Sequence, residues 1–202
     1  MVAPYMADEV SPLVTTVAAP LEVFDHPVVE GNTPRFEMLR MTPTSEFADE
    51  VHGAAEWLGI PVEEILLAAL GRALGRTRGE GEVAVDVVTG PAATHRAVWL
   101  ICSDAAPMGP TEMLQGAHTA LAVAAGRAAI RCEVLLDVAA EATDSDSGSG
   151  HALGLHVRRA GGVLHLDWRY DTTRFDAYSV EEMAEQFPLA LIEITSDAAA
   201  PL

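Results

Sequence analysis

The sequence predicts a two-layer α/β sandwich, on three observations. Strand-period and helix-period segments follow one another along 202 residues as strand, two helices, strands, helix, strand, hairpin, helix. Two alternating segments, "HALGLHVRR" and "VLHLDWRYD", are separated only by "AGG", which makes them an antiparallel hairpin. The helical segments carry apolar stripes that must return to one face of the resulting sheet. No internal repeat interrupts this order.

Residues 1–35 read as an extended leader or linker. Prolines at 4, 12, 20, 27 and 34 suppress helix, and "LEVFD" allows one edge strand. The compact unit is expected over 36–202. "FEMLRM" (36–41) alternates as a strand. In "TPTSEFADEVHGAAEWLG", Thr44 or Ser45 can cap, and Phe47, Val51, Ala54, Ala55 and Leu58 form one stripe. Gly59 stands where a helix ends. "PVEEILLAALGRALGR" opens with Pro61 in its first turn and is apolar on most faces, so it should be largely buried.

After "GEGE", the β-branched run "VAVDVVT" (83–89) is a strand, and "AVWLI" (97–101) a short second one. "TEMLQGAHTALAVAAGR" (111–127) is helical and "CEVLLDV" (132–138) a strand. The acidic Ser/Gly tract at 139–150 reads as a mobile surface loop. In the hairpin, alternation places Trp168 and Tyr170 on one face and Arg169 on the other. In "SVEEMAEQFPLALIEI", Ser179 with Glu182 spells a capping box, and Pro188 predicts a kink or a restart.

Composition narrows the function. The formal charge is −18, which opposes nucleic acid and anionic membrane surfaces. A basic or apolar partner patch suits it better. All twelve basic residues are arginine, so there is no Walker-A, Schiff-base or general-base lysine. Lysine-free, alanine-rich sequence also points to a GC-rich, actinobacterial-type genome. No apolar run reaches the roughly 18 residues of a membrane span. The N-terminus lacks the basic flank and apolar core of a signal peptide. Cys102 and Cys132 sit in apolar contexts and read as reduced thiols, consistent with a cytoplasmic location.

Two parts of the chain resemble a known family. Leu58-Gly59, "EEILLAALGRAL", Gly79 and "EVAVDVVTG" look like the start of the second half of a nonribosomal-peptide condensation domain. Tyr170, Asp171, Phe175, Asp176 and the helix from Ser179 are similar to that family's closing unit. The resemblance covers roughly residues 36–196. It implies a chloramphenicol-acetyltransferase-like sandwich: a mixed sheet with helices on one face. Full condensation domains hold two such units. The catalytic motif, two histidines, three residues, an aspartate and a glycine, belongs to the first. The stretch Pro91–Val138 is shorter than the family's and lacks the segment that bridges the units. Half-units of this kind resemble the C-terminal end of mycobacterial polyketide synthases that make phthiocerol-type lipids.

Candidate chemistry is sparse. "VFDHPVVEG" has His26 four residues before Glu30 and Gly31, an acyl-transfer spacing. Residue 25 is Asp rather than a second His, however, and the segment falls where the family's inter-unit linker lies. His52 and His118 lie in predicted helices and His95 in a loop. His156 and His165 read as possible cross-strand neighbours without a further ligand at metal spacing. Ser103-Asp104 lacks a nucleophile elbow and reads as a loop cap. Cys102 would be a nucleophile only beside a histidine.

The expectation is therefore a condensation-like half-domain of an assembly-line synthase, with no catalytic residue of its own, no cofactor and no metal. Its work would be partner docking or hand-off and release of the acyl chain. The partner would be an acyltransferase, a thioesterase or a second copy held on the face that normally packs on the first unit. Arg169 and Tyr170 are the interface candidates. The alternative is a stand-alone acyltransferase, active as a homo-oligomer, with His26 as base.

Overall fold

The computed structural model describes residues 19–43, 45–90, 92–104, 108–124, 131–138 and 150–202. In chain order the elements are β1 (Phe36–Met41), α1 (Ser45–Leu58), α2 (Val62–Arg78), β2 (Gly81–Thr89), β3 (Thr94–Cys102), α3 (Pro110–Val123), β4 (Val134–Val138), β5 (Leu153–Ala160), β6 (Val163–Asp171) and α4 (Ala177–Asp197). The strands form one mixed sheet in the order β1–β6–β5–β4–β2–β3. β4 pairs in parallel with both β2 and β5, and the other neighbours are antiparallel. Helices α2 and α3 pack on β3, while α1 and α4 pack on β6, and α4 also on β1. This is the predicted α/β sandwich, a mixed sheet with one helical layer.

Alternation explains the core. On the helix side stand Val83, Val85, Val98, Leu136, Leu155 and Trp168, all buried. Trp168 is fully buried and meets the Phe187 ring edge-on, with centroids 5.9 Å apart. Helix α2 is buried from Glu64 to Gly75, as its near-continuous apolar run requires. The α1 stripe of Phe47, Val51, Ala55 and Leu58 faces the same core, and Gly59 closes α1 at φ +68°. The β5–β6 hairpin turns on Gly161 and Gly162 (φ +59° and +81°), a two-residue loop whose twist suits the flanking strands.

Several local expectations change. "LEVFD" is not an edge strand: Pro20 makes a single bridge to Glu82, and the chain then leaves the ladder. Val23 is nevertheless fully buried, and Phe24 packs on Phe175 at 5.3 Å, so this segment is tied into the core. "AVWLI" is the middle of a nine-residue strand zipped to β2.

The capping box at Ser179 and Glu182 does not form. Helix α4 starts earlier, at Ala177. Its first turn is capped from outside, because Asp25 accepts from the Asp176 N–H (2.9 Å) and the Ser179 hydroxyl (3.0 Å). A distant carboxylate thus ties down the N-cap residue Asp176 and the first-turn hydroxyl of Ser179, where a local Ser179–Glu182 pair was expected. Pro188 does not restart the helix, which runs through it to Asp197. The capping choice at Thr44 or Ser45, the end of the predicted 111–127 helix and the 139–149 loop lie outside the described residues.

A polar sheet face as candidate docking surface

The face turned away from the helices is built by the other half of each strand's alternation. Here β2, β4 and β6 each place one aspartate inside an apolar run, in "VAVDVV", "VLLDV" and "LHLDW". Aspartate is disfavoured in strand interiors, so each needs a partner. Sheet order supplies one for each. Asp86 stands between His95 Nδ1 (2.8 Å) and His151 Nε2 (3.3 Å). Asp137 meets His156 Nδ1 at 3.0 Å, one strand over. Asp167 accepts from Arg158 across the hairpin.

The hydrogen bond with His151 holds the Asp86 carboxyl below the usual range. Burial opposes this, and the bond with His95 reinforces it. The rims of the same face carry exposed apolar side chains beside Arg40 on β1 and His95 on β3. β1 exposes Phe36 (40%) and Met38 (42%), and β3 exposes Trp99 (39%) and Ile101 (36%). Arg169 projects on this face, with its guanidinium 3.5 Å from the Phe36 ring centre.

The predicted residues do not converge. His26 sits at the start of α4, half-exposed, with Nε2 3.1 Å from Asp176 Oδ1. It lines neither the groove of about 610 Å³ beside β3 nor the cavity of about 170 Å³ near His151. Tyr170 lies on the opposite, helix-facing side from Arg169 and is buried. Its hydroxyl donates to Glu37 (3.1 Å), and burial together with that carboxylate raises its pKa.

His156 and His165 are not cross-strand partners. His156 faces Asp167 and His165 faces Arg158. Among the described residues no group of three His, Cys, Asp or Glu is placed to hold a metal ion. His118 pairs with Glu64 (2.9 Å), and His52 with Glu56 along α1.

Ser103 is a buried link rather than an exposed cap. Its hydroxyl donates to Glu80 (3.3 Å), and its carbonyl accepts from Arg72 (2.8 Å). Cys102 is buried, its thiol pKa raised by burial and by Glu82, and it contacts the Leu100 carbonyl. Cys132 is pushed up to about 11 by burial and by Asp86. Neither thiol has the lowered pKa of a nucleophile. The polar network of Asp86, Asp137, Asp167 and His151 escaped sequence reasoning. The single aspartate in each strand interior was the available signal.

No protein-family model matches the sequence. A phenolphthiocerol/phthiocerol polyketide synthase protein of Mycobacterium tuberculosis H37Rv is 31% identical over 194 aligned residues, covering 69% of this chain. The Mycobacterium bovis protein of the same name matches equally. The chain spans only 13% of the length of these relatives.

Among the solved structures that share the fold are the following three. The epimerization domain of the third module of tyrocidine synthetase B superposes with a TM-score of 0.68 at 13% identity, over 90% of this chain and 52% of that one. The X-domain in complex with OxyB from teicoplanin biosynthesis gives 0.67 at 13%, over 91% and 50%. The structure describing condensation domain-mediated chain release from the enacyloxin polyketide synthase gives 0.63 at 14%, over 85% and 44%. No described helix is long and apolar enough to cross a membrane. With its six-stranded mixed sheet and single helical layer, the chain has the fold of the condensation domains of nonribosomal-peptide and polyketide synthases, in the form of one chloramphenicol-acetyltransferase-like unit.

Proposed function

We propose that this chain is a non-catalytic condensation-like half-domain of an assembly-line synthase, serving partner docking in the hand-off or release of the acyl chain. The observation that carries this reading is the sheet face that no described helix covers. Among the described residues four helices cover one side, while the other presents aspartates hydrogen-bonded to histidine or arginine at its centre and Phe36, Met38, Trp99 and Ile101 at its rims. Apolar side chains around a centre of paired polar groups suit a protein interface better than a reaction site. The occupant proposed for the β1–β6 side is another condensation-type unit, because the fold's solved representatives are about twice as long as this chain. Arg169 and Phe36 would anchor that contact, while Tyr170, buried on the helix side, would act only by tying β6 to β1 through its bond to Glu37. The X-domain's complex with OxyB is a precedent for this fold docking another protein.

Light scattering on the purified chain tests the reading. A dimer or larger assembly at high micromolar concentration is expected, and Met38→Glu is expected to dissolve it with the circular dichroism unchanged. A monodisperse wild-type monomer at that concentration and at high salt would overturn it.

A further inference from the structure

We propose that the free edge of β3, with the groove beside it, is a strand-addition site for an extended partner segment that is apolar in its middle and carries arginine or lysine at its ends. This goes beyond the proposed function and uses the opposite margin of the sheet.

β3 is the last strand of the sheet, so one of its sides has no strand partner among the described residues. Which backbone groups point outward follows from the pairing. The Glu82 N–H and C=O bond to Ala19 and Leu21, on the far side of β2 from β3. Glu82–Ile101 is therefore a non-hydrogen-bonded pair, and by alternation so are Ala84–Trp99 and Asp86–Ala97. Ala97 and Trp99 thus turn their N–H and C=O groups to the free edge. Farther along, Ile101 lies under α2, whose Gly71 would place a Cβ 2.6 Å from the Ile101 carbonyl oxygen, so the open template ends there.

The edge lacks the usual protection. Residues 97–101, "AVWLI", carry no charge, proline or bulge, the devices by which exposed strands avoid pairing. Beside them runs the groove of about 610 Å³, between the outer side of α3 and the Trp99 and Ile101 side chains. Its size is that of a binding pocket for a few residues. The C-terminal residues of the chain form one wall: Ala199 is held by Thr111, and Leu202 by Gln115.

Charge selects the occupant. The charged residues lining the groove are Glu82 and Glu112, and neither forms an ion pair among the described residues. No described cation lines it. An apolar strand with basic ends would place its side chains on Trp99 and Ile101 and its charges near the two glutamates. A second copy of this chain would bring the same acids edge to edge.

The probe is a short acetylated peptide of alternating valine and threonine with an arginine at each end. Its controls are the same peptide with glutamate ends and one with proline at its centre. Fluorescence anisotropy measures binding, and hydrogen exchange locates it. Binding of the arginine-ended peptide is expected, with slowed exchange over residues 94–102. Both controls should bind at least about tenfold more weakly.

Ala97→Pro removes an outward-facing N–H while sparing the β2 ladder, and it should weaken binding by about tenfold or more. The pair Glu82→Gln with Glu112→Gln should erase the preference for arginine ends. Equal binding of the proline peptide, no protection of 94–102, or no binding would each overturn the proposal. Self-association abolished by Ala97→Pro would also overturn it, naming a second copy as occupant. Met38→Glu should leave peptide binding unchanged, which separates this site from the docking face.

Discussion

His26 and Asp25 are adjacent, and their environments assign them different work. His26 has a carboxylate partner in Asp176, yet it stands on an exposed helix start outside both cavities. Replacing it with alanine is expected to leave CoA release from acyl-CoA, with an amine or alcohol acceptor, at the wild-type level. A fall in that rate would instead favour the stand-alone acyltransferase.

Asp25 is the structural residue of the pair. It joins the leader to two helices, accepting from Arg78 (2.7 Å), the Asp176 N–H and the Ser179 hydroxyl. Burial works to raise its pKa, but these hydrogen bonds and the Arg78 charge outweigh it and leave the carboxyl below its usual value. A lowered folded-state pKa stabilises the fold above the unfolded value, about 4, and that stability is lost as pH falls through the folded value. Asp25→Asn is therefore expected to cost about 2–3 kcal/mol in urea unfolding at neutral pH. The variant and the wild type should converge as the medium is acidified below pH ~4. A gap that persists unchanged well below pH ~4, where the folded-state carboxyl also takes up its proton, would show that shape rather than charge is what Asp25 supplies.

Among the elements, α1 and α2 show how the same residue type takes opposite roles. Helix interiors favour alanine over glycine by up to about 1 kcal/mol. At Gly53 in α1 an added Cβ meets nothing within 4 Å, so Gly53→Ala is expected to stabilise by about 0.5–1 kcal/mol. At Gly75 in α2 the same Cβ would lie 2.3–2.5 Å from the backbone of Ser103, where the chain leaves β3. Arg72, one turn earlier and buried, holds that junction by donating to the Ser103 and Met108 carbonyls (2.8 and 2.6 Å). Gly75→Ala should therefore destabilise by about 1–3 kcal/mol despite its propensity gain, through forced displacement of packed backbone. Thermal unfolding of the two variants side by side checks both signs.

The elements themselves were legible because each rests on local periodicity: the α2 apolar run, the α1 stripe and the "AGG" hairpin all lie where their patterns place them. The α4 cap was not, because its acceptor lies about 150 residues away and Ser179 offered a local pattern of the same kind. The aspartate–histidine pairs were hidden for a related reason. Asp137 finds His156, and Asp86 finds His151, only once β4 is known to lie between β2 and β5, and that order is not written in any one segment.

For the whole molecule, the sheet face that no described helix covers and the net charge of −18 act in opposite directions. Apolar contact at Phe36 and Met38 favours pairing of like faces, while like charge opposes it at every separation within a screening length. That length is about 10 Å at 0.1 M salt and about 3 Å at 1 M. Apolar burial is not weakened by salt, so self-association through this face has a definite sign. The dimer fraction should rise with added sodium chloride and rise further with sodium sulfate, which strengthens apolar burial. A basic partner on the same face would respond in reverse, with affinity falling as salt screens the attraction. Sedimentation velocity across a salt series distinguishes the two. Growth of the dimer with salt, absent in Met38→Glu, is the expected result. A wild-type dimer that dissociates as salt is raised would place the association on charge, and so away from the apolar rim of β1.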